Sequence, residues 1–146
     1  MSFTLRKDEK LRHTRLVEDL FTDGNSLYDF PLRVTWRLVD ADELIGSFRA
    51  DVPDRLGKIQ MLITVPKKKL HHAVDRVLMR RRIREAYRLN RLSLKETAES
   101  IPNAGTLSIA FIYIADKILP YSLVETKIKR ILSKLENILQ QQQPTE

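Results

Sequence analysis

Apolar positions along this chain recur at helical spacing, alternate, or run together, and each pattern implies a different element. Residues 8–21 place Leu11, Leu16, Val17, Leu20 and Phe21 near helical spacing, and Asp23, Gly24 and Asn25 follow as a stop and a turn. That spacing predicts a first helix of about three turns. Leu32, Val34, Trp36 and Leu38 alternate with Arg33, Thr35 and Arg37, the period of a strand with one apolar face. Residues 40–58 read as an acidic connection, with a short strand expected near residues 44–48. Alternation returns at Ile59, Met61, Ile63 and Val65, and Pro66, which has no backbone donor, ends that strand.

Residues 71–91 contain neither glycine nor proline. Val74, Leu78, Ile83, Ala86 and Leu89 suit one helical stripe there, predicting a long central helix. Residues 93–100 extend it by a short helical segment, and the stretch from Pro102 to Gly105 turns the chain. The nearly continuous apolar run over residues 107–114 predicts a strand covered on both faces. A last helix begins at Pro120 or Tyr121. Leu123, Ile128, Ile131, Leu132, Leu135 and Ile138 form its inner face, with Lys127, Lys129, Arg130 and Lys134 outside. Among the aromatics, Phe21, Phe30, Trp36, Phe111 and Tyr113 lie in apolar stretches and are expected in the core. The order of elements argues for an α+β fold, a small central mixed sheet packed with three helices. It is expected to form one domain over residues 1–139, followed by a frayed polar tail over residues 140–146.

Composition narrows this frame. A chain of 146 residues suffices for one hydrophobic core. Without cysteine, it can form no disulfide and no thiolate site, which fits a reducing, cytoplasmic setting. The charged start has no apolar signal-peptide core. The most apolar run, residues 107–115, falls far short of the roughly 20 residues of a membrane-spanning helix, so no membrane partner is expected.

Charge changes the picture most. Residues 67–91 hold ten basic side chains against two acids, a net +8, while the whole chain is +7. The basicity is therefore one localised patch. Arg76, Arg80, Arg81, Arg84, Arg88 and Arg91 fall within one helical arc of roughly 140°, with Arg82 on the other side. Solvated helices commonly interleave acids at i,i+4, whereas Arg76, Arg80, Arg84 and Arg88 are successive like-charge neighbours that repel. A polyanionic ligand would relieve that repulsion, and guanidinium groups suit bidentate phosphate contacts. Lys67, Lys68 and Lys69 stand between the strand end and the helix start, extending the same surface. The arrangement points to nucleic-acid phosphates. A DNA-binding module would need a second helix in place of the proline-ended strand, so no DNA partner is expected. The three histidines have no metal-helix spacing, no nucleophile elbow or glycine-rich phosphate loop is present, and neither a catalytic residue nor a protein-borne metal is expected. Arg33, Thr35, Arg37, Gln60 and Thr64 would form a polar sheet face able to meet single-stranded RNA.

Val65-Pro66-Lys67-Lys68, Ala73-Val74-Asp75-Arg76, Arg80-Arg81 and Arg84-Glu85-Ala86-Tyr87-Arg88, in that order, resemble the signature of the bacterial ribonuclease P protein subunit. Leu20-Phe21 and Gly24 are similar to the end of that family's first helix. The chain departs from the pattern at Pro66, where the family has Ser, and at Val77 and Leu78, where it has Asn and Arg. Arg80 keeps charge at a usual Lys position, and Arg82 adds charge at a usually apolar one, so the two are expected to compensate.

The resemblance implies a ribonuclease P protein-like fold with a left-handed βαβ crossover, where general rules would favour the right-handed one. It implies the protein subunit of ribonuclease P, assisting 5′ maturation of precursor tRNA while a catalytic RNA performs hydrolysis with Mg²⁺. Ribonuclease P RNA and precursor tRNA are the implied partners of a protein monomeric before assembly. Lys67, Lys68, Lys69, Arg76, Arg80, Arg81, Arg84, Arg88 and Arg91 would contact the RNA, and Phe21, Arg33, Thr35 and Arg37 would line a cleft for the 5′ leader. The alternative is a ribosomal or other structured-RNA binding protein without a nuclease role.

Overall fold

The computed structural model describes residue 5 and residues 9–46, 58–101 and 104–141. Four strands form one mixed sheet: β1 (Asn25–Asp29), β2 (Leu32–Asp40), β3 (Ile59–Thr64) and β4 (Ala104–Tyr113). Five helices accompany them among the described residues: α1 (Thr14–Asp23), α2 (Ala41–Gly46), α3 (Ala73–Asn90), α4 (Leu92–Ser100) and α5 (Tyr121–Gln141). The strand order is β1-β2-β4-β3. β1 with β2 and β2 with β4 are antiparallel, and β3 with β4 is parallel, joined through α3 and α4.

The alternation in β2 sorts the two sheet faces. Leu32, Val34 and Trp36 join Met61, Ile109, Phe111 and Tyr113 against α3, α4 and α5 in the main core. On the other face α1 seats Leu16 and Leu20 on Val39 and Ala110. Gly24 makes this contact possible: a Cβ there would stand 2.2 Å from the Leu20 carbonyl oxygen and 2.8 Å from Thr35 Cγ2.

Several elements differ from the sequence expectation. The first helix begins at Thr14 rather than near residue 8, because residues 9–11 run beside the outer edge of β3. Lys10 bridges in parallel to Met61, and the Leu11 amide donates to the Met61 carbonyl at 2.9 Å. The stop at Gly24 leads into β1, which pairs Asn25 with Trp36 and turns back through Phe30 and Pro31, joined by a cis peptide bond. Residues 41–46 are helical, so two short helices join the expected three; residues 47–57 lie outside the described residues. Gln140 and Gln141 continue α5, and the tail beyond them lies outside the described residues.

The buried stripe of α3 is rotated from the expected one. Met79, Ile83, Ala86 and Tyr87 face the core, while Val74 is 78% exposed and Leu89 is exposed. The α5 face follows the sequence reading at Ile128, Ile131, Leu132 and Leu135, with Val124 and Leu139 added. Phe21 and Phe30 correct the core expectation: both stand exposed, as does Tyr28.

Candidate nucleic-acid interface

The basic helix presents its arginines unequally, for a geometric reason. Each i,i+4 step on an α-helix turns about 40° beyond a full revolution. The row Arg76, Arg80, Arg84, Arg88 therefore starts at the rim of the buried side set by Met79 and Ile83 and winds outward. Arg76 is half-buried and donates at 2.9 Å to the carbonyls of both Leu70 and His71. It holds the turn that displays Lys67 and Lys68, both exposed, and Lys69, half-buried. The Lys69 and Leu70 amides close that turn on the Pro66 carbonyl at 3.0 and 3.2 Å. Arg80 is half-buried, and Arg81 and Arg84 are exposed.

Arg88 is already paired. Its Nη2 and Nε donate to the two Glu85 carboxylate oxygens at 2.6 and 3.1 Å, and this hydrogen bonding holds the Glu85 carboxyl below its ordinary value. Beside the pair, Arg81, Arg82, Arg84, Glu85, Arg88 and Tyr121 line a groove of about 380 Å³ between α3 and the start of α5. Arg82 is half-buried. Its guanidinium donates to the Leu119 carbonyl, tying α3 to the loop before α5.

Arg91 must be withdrawn from the interface. Lying just past the end of α3, it is 1% exposed. Its Nε and Nη2 donate to Glu9 at 2.7 and 3.3 Å, and its Nη1 donates to the Arg88 carbonyl at 2.6 Å. Buried Tyr87 lies in the same neighbourhood; burial pushes its hydroxyl pKa well up, with the Glu9 charge adding and Arg91 opposing.

The sheet face also divides. Tyr28 and Arg33 are register partners, and the Arg33 guanidinium lies 5.9 Å from the Tyr28 ring centroid, within cation–π reach. Both are exposed, as is Phe21 in the last turn of α1. Thr35 is not a cleft residue: it is 4% exposed, beneath Gly24. Arg37 is half-buried and engaged with Glu43 of α2. Gln60 is buried, while Thr64 stays exposed. Tyr28 and Tyr121 were the contributors missed in the sequence. The alternation of Tyr28 with Leu27 carried a signal for the first, whereas Tyr121 is brought to the arginines only by packing of α5 on α3.

An α+β sheet carrying an arginine helix on one side and an exposed aromatic–arginine pair on the other defines a small polyanion-binding protein of the RNA-binding class. The family model described as Ribonuclease P matches residues 5–141. Curated relatives include the "Ribonuclease P protein component" of Porphyromonas gingivalis strain W83, 31% identical over 92% of this chain and 88% of its own length. That of Chlorobium phaeobacteroides is 31% identical over 90% of this chain and 88% of its own. Among solved structures, the Staphylococcus aureus RNase P protein superposes with TM-score 0.59 at 15% identity, covering 86% of this chain and 94% of that one. The Thermotoga maritima RNase P protein gives 0.58 at 21% identity, with 86% and 96% covered; these two likenesses concern the fold. The chain belongs to the ribonuclease P protein family. It is thus the protein part of an endoribonuclease ribonucleoprotein acting in tRNA 5′ maturation, with the ribonuclease P RNA as partner, and nothing in these matches supports the ribosomal alternative. Among the described residues no helix is long and apolar enough to cross a membrane.

Proposed function

We propose that Lys67, Lys68, Lys69, Arg80, Arg81, Arg84 and Arg88 contact the catalytic RNA, with Arg76 positioning the lysine turn, and that Phe21, Tyr28 and Arg33 receive the 5′ leader of precursor tRNA. The observation that carries the first part is the exposure of Arg81, Arg84, Lys67 and Lys68 on a patch whose net charge exceeds that of the whole chain. Each phosphate neutralised there releases condensed counterions, which favours binding. For the leader, exposed rings offer stacking to unpaired bases and Arg33 adds a cation.

The chemistry is carried by Mg²⁺ on the RNA. Among the described residues no three His, Asp or Glu side chains gather to hold a metal ion. The protein's part is to reduce repulsion between two polyanions and hold them in register. It acts as a monomer before assembly, in the cytoplasm.

The test mixes the purified chain with ribonuclease P RNA and labelled precursor tRNA at low magnesium and follows leader release. Acceleration requiring both components supports the reading. No acceleration despite tight RNA binding would leave a general RNA-binding protein and overturn it. Phe21→Ala with Arg33→Ala should weaken binding of precursor tRNA, but not of mature tRNA, to the assembled complex.

A further inference from the structure

The segment preceding α1 carries chemistry that the arginine helix does not account for. Residues 9–12 alternate in burial: Glu9 and Leu11 are buried, Lys10 and Arg12 exposed. The two inward residues fix the segment. Glu9 is bound to buried Arg91, and the Leu11 amide donates to Met61. The two outward cations thereby stand beside the edge of β3, where they line a groove of about 240 Å³ together with Arg84 of α3. Its remaining lining is apolar: Leu5, Leu11, Met61, Leu62 and Ile63. Among the described residues, Lys10, Arg12 and Arg84 have no ion-pair partner.

Three uncompensated cations around an apolar floor match one ligand chemistry: an anionic phosphate joined to a flat, weakly polar ring. A paired base in a duplex would keep its ring away from the floor, whereas an unpaired nucleotide presents both parts. We propose that this groove binds an unpaired nucleotide of the RNA assembly, its phosphate held by Lys10, Arg12 and Arg84 and its base laid along the apolar edge of β3. Arg84 also lines the groove beside Tyr121, so the phosphate-binding surface runs continuously from α5 across α3 to the segment before α1. The inference rests on the RNA-binding reading above. It adds Lys10 and Arg12 to the interface and assigns Glu9 and Arg91 the role of positioning them.

The nucleotide can come from the catalytic RNA or from the substrate's leader, and two arms separate the sources. Wild type and Lys10→Ala/Arg12→Ala are titrated against ribonuclease P RNA over a range of salt, then precursor tRNA with and without its leader is titrated against each assembled complex. The double variant should lose about tenfold or more in affinity in one arm, as expected for lost charge-assisted contacts. The salt slope in that arm should fall by about 0.7 per single-stranded phosphate no longer neutralised. Loss in the first arm assigns the nucleotide to the catalytic RNA, and loss confined to leader-bearing substrate assigns it to the leader.

Unchanged affinity and slope in both arms would overturn the proposal. So would an equal loss in Lys129→Ala/Lys134→Ala on the exposed side of α5, which removes the same charge elsewhere. Should the melting temperature of the alanine pair fall, Lys10→Gln/Arg12→Gln, which keeps the aliphatic stems, takes its place under the same criteria. If wild type itself fails to bind ribonuclease P RNA, the broader functional reading fails instead.

Discussion

Arg84 and Arg91 stand seven residues apart, so on an ideal helix they point within about 20° of one another, yet their surroundings are opposite. Arg84 is exposed and lines two grooves. Arg91, one residue beyond the end of α3, is sealed under the N-terminal segment in a two-point bond with Glu9. The same side chain at nearly the same angular position stands open to solvent in one place and anchors the chain in the other. The difference lies in what covers the helix: Glu9 comes from a segment 82 residues away in sequence, and among the described residues nothing comparable covers Arg84. An arginine stripe in a sequence therefore overstates the binding surface wherever a distant carboxylate can reach its end.

The largest way to break this contrast is Arg91→Ala, which leaves a buried carboxylate without its partner. A loss of about 3–5 kcal/mol is expected, read as a lower urea midpoint, while Glu9→Gln/Arg91→Met should recover most of it. If Arg91→Ala leaves stability intact but weakens RNA binding directly, the two arginines are alike after all. Next in size is Gly24→Ala on the opposite sheet face. Forcing a methyl group against Leu20 and Thr35 should cost about 1–3 kcal/mol and leave the salt slope for the catalytic RNA unchanged.

Arg84→Ala sharpens the contrast from the other side. Its stability should stay within about 0.5 kcal/mol of wild type, while the salt slope of RNA binding falls by about 0.7 for one lost single-stranded phosphate contact. The smallest effect belongs to Arg88, which is intermediate between the two because Glu85 already holds it. Glu85 titrates below its ordinary value in the folded chain. Its pairing therefore adds stability above the unfolded carboxylate's pKa, and this is lost as pH falls through the folded one. In Arg88→Ala the Glu85 midpoint, followed by NMR, should rise towards that of an unpaired glutamate. An unmoved midpoint would show that the pair does not form in solution.

Local pattern determined the long strands β2 and β3, the position of α3, most of the inner face of α5, and the localisation of charge to residues 67–91. Period and composition are properties of neighbouring residues, so they survive without knowledge of the fold. The resemblance in the basic stretch also led to the right family, because its ordered arginines occupy one contiguous segment. Tertiary structure alone decided what lies above each face. Val74 and Leu89 looked like core and stand exposed, since α3 meets the sheet through Met79, Ile83, Ala86 and Tyr87. Thr35 looked like a solvent-facing member of an alternating strand and lies under the end of α1. Arg91 looked like ligand-binding charge and is an anchor. Burial is set by contacts between segments far apart in the chain, and such contacts leave no period in the sequence of either one.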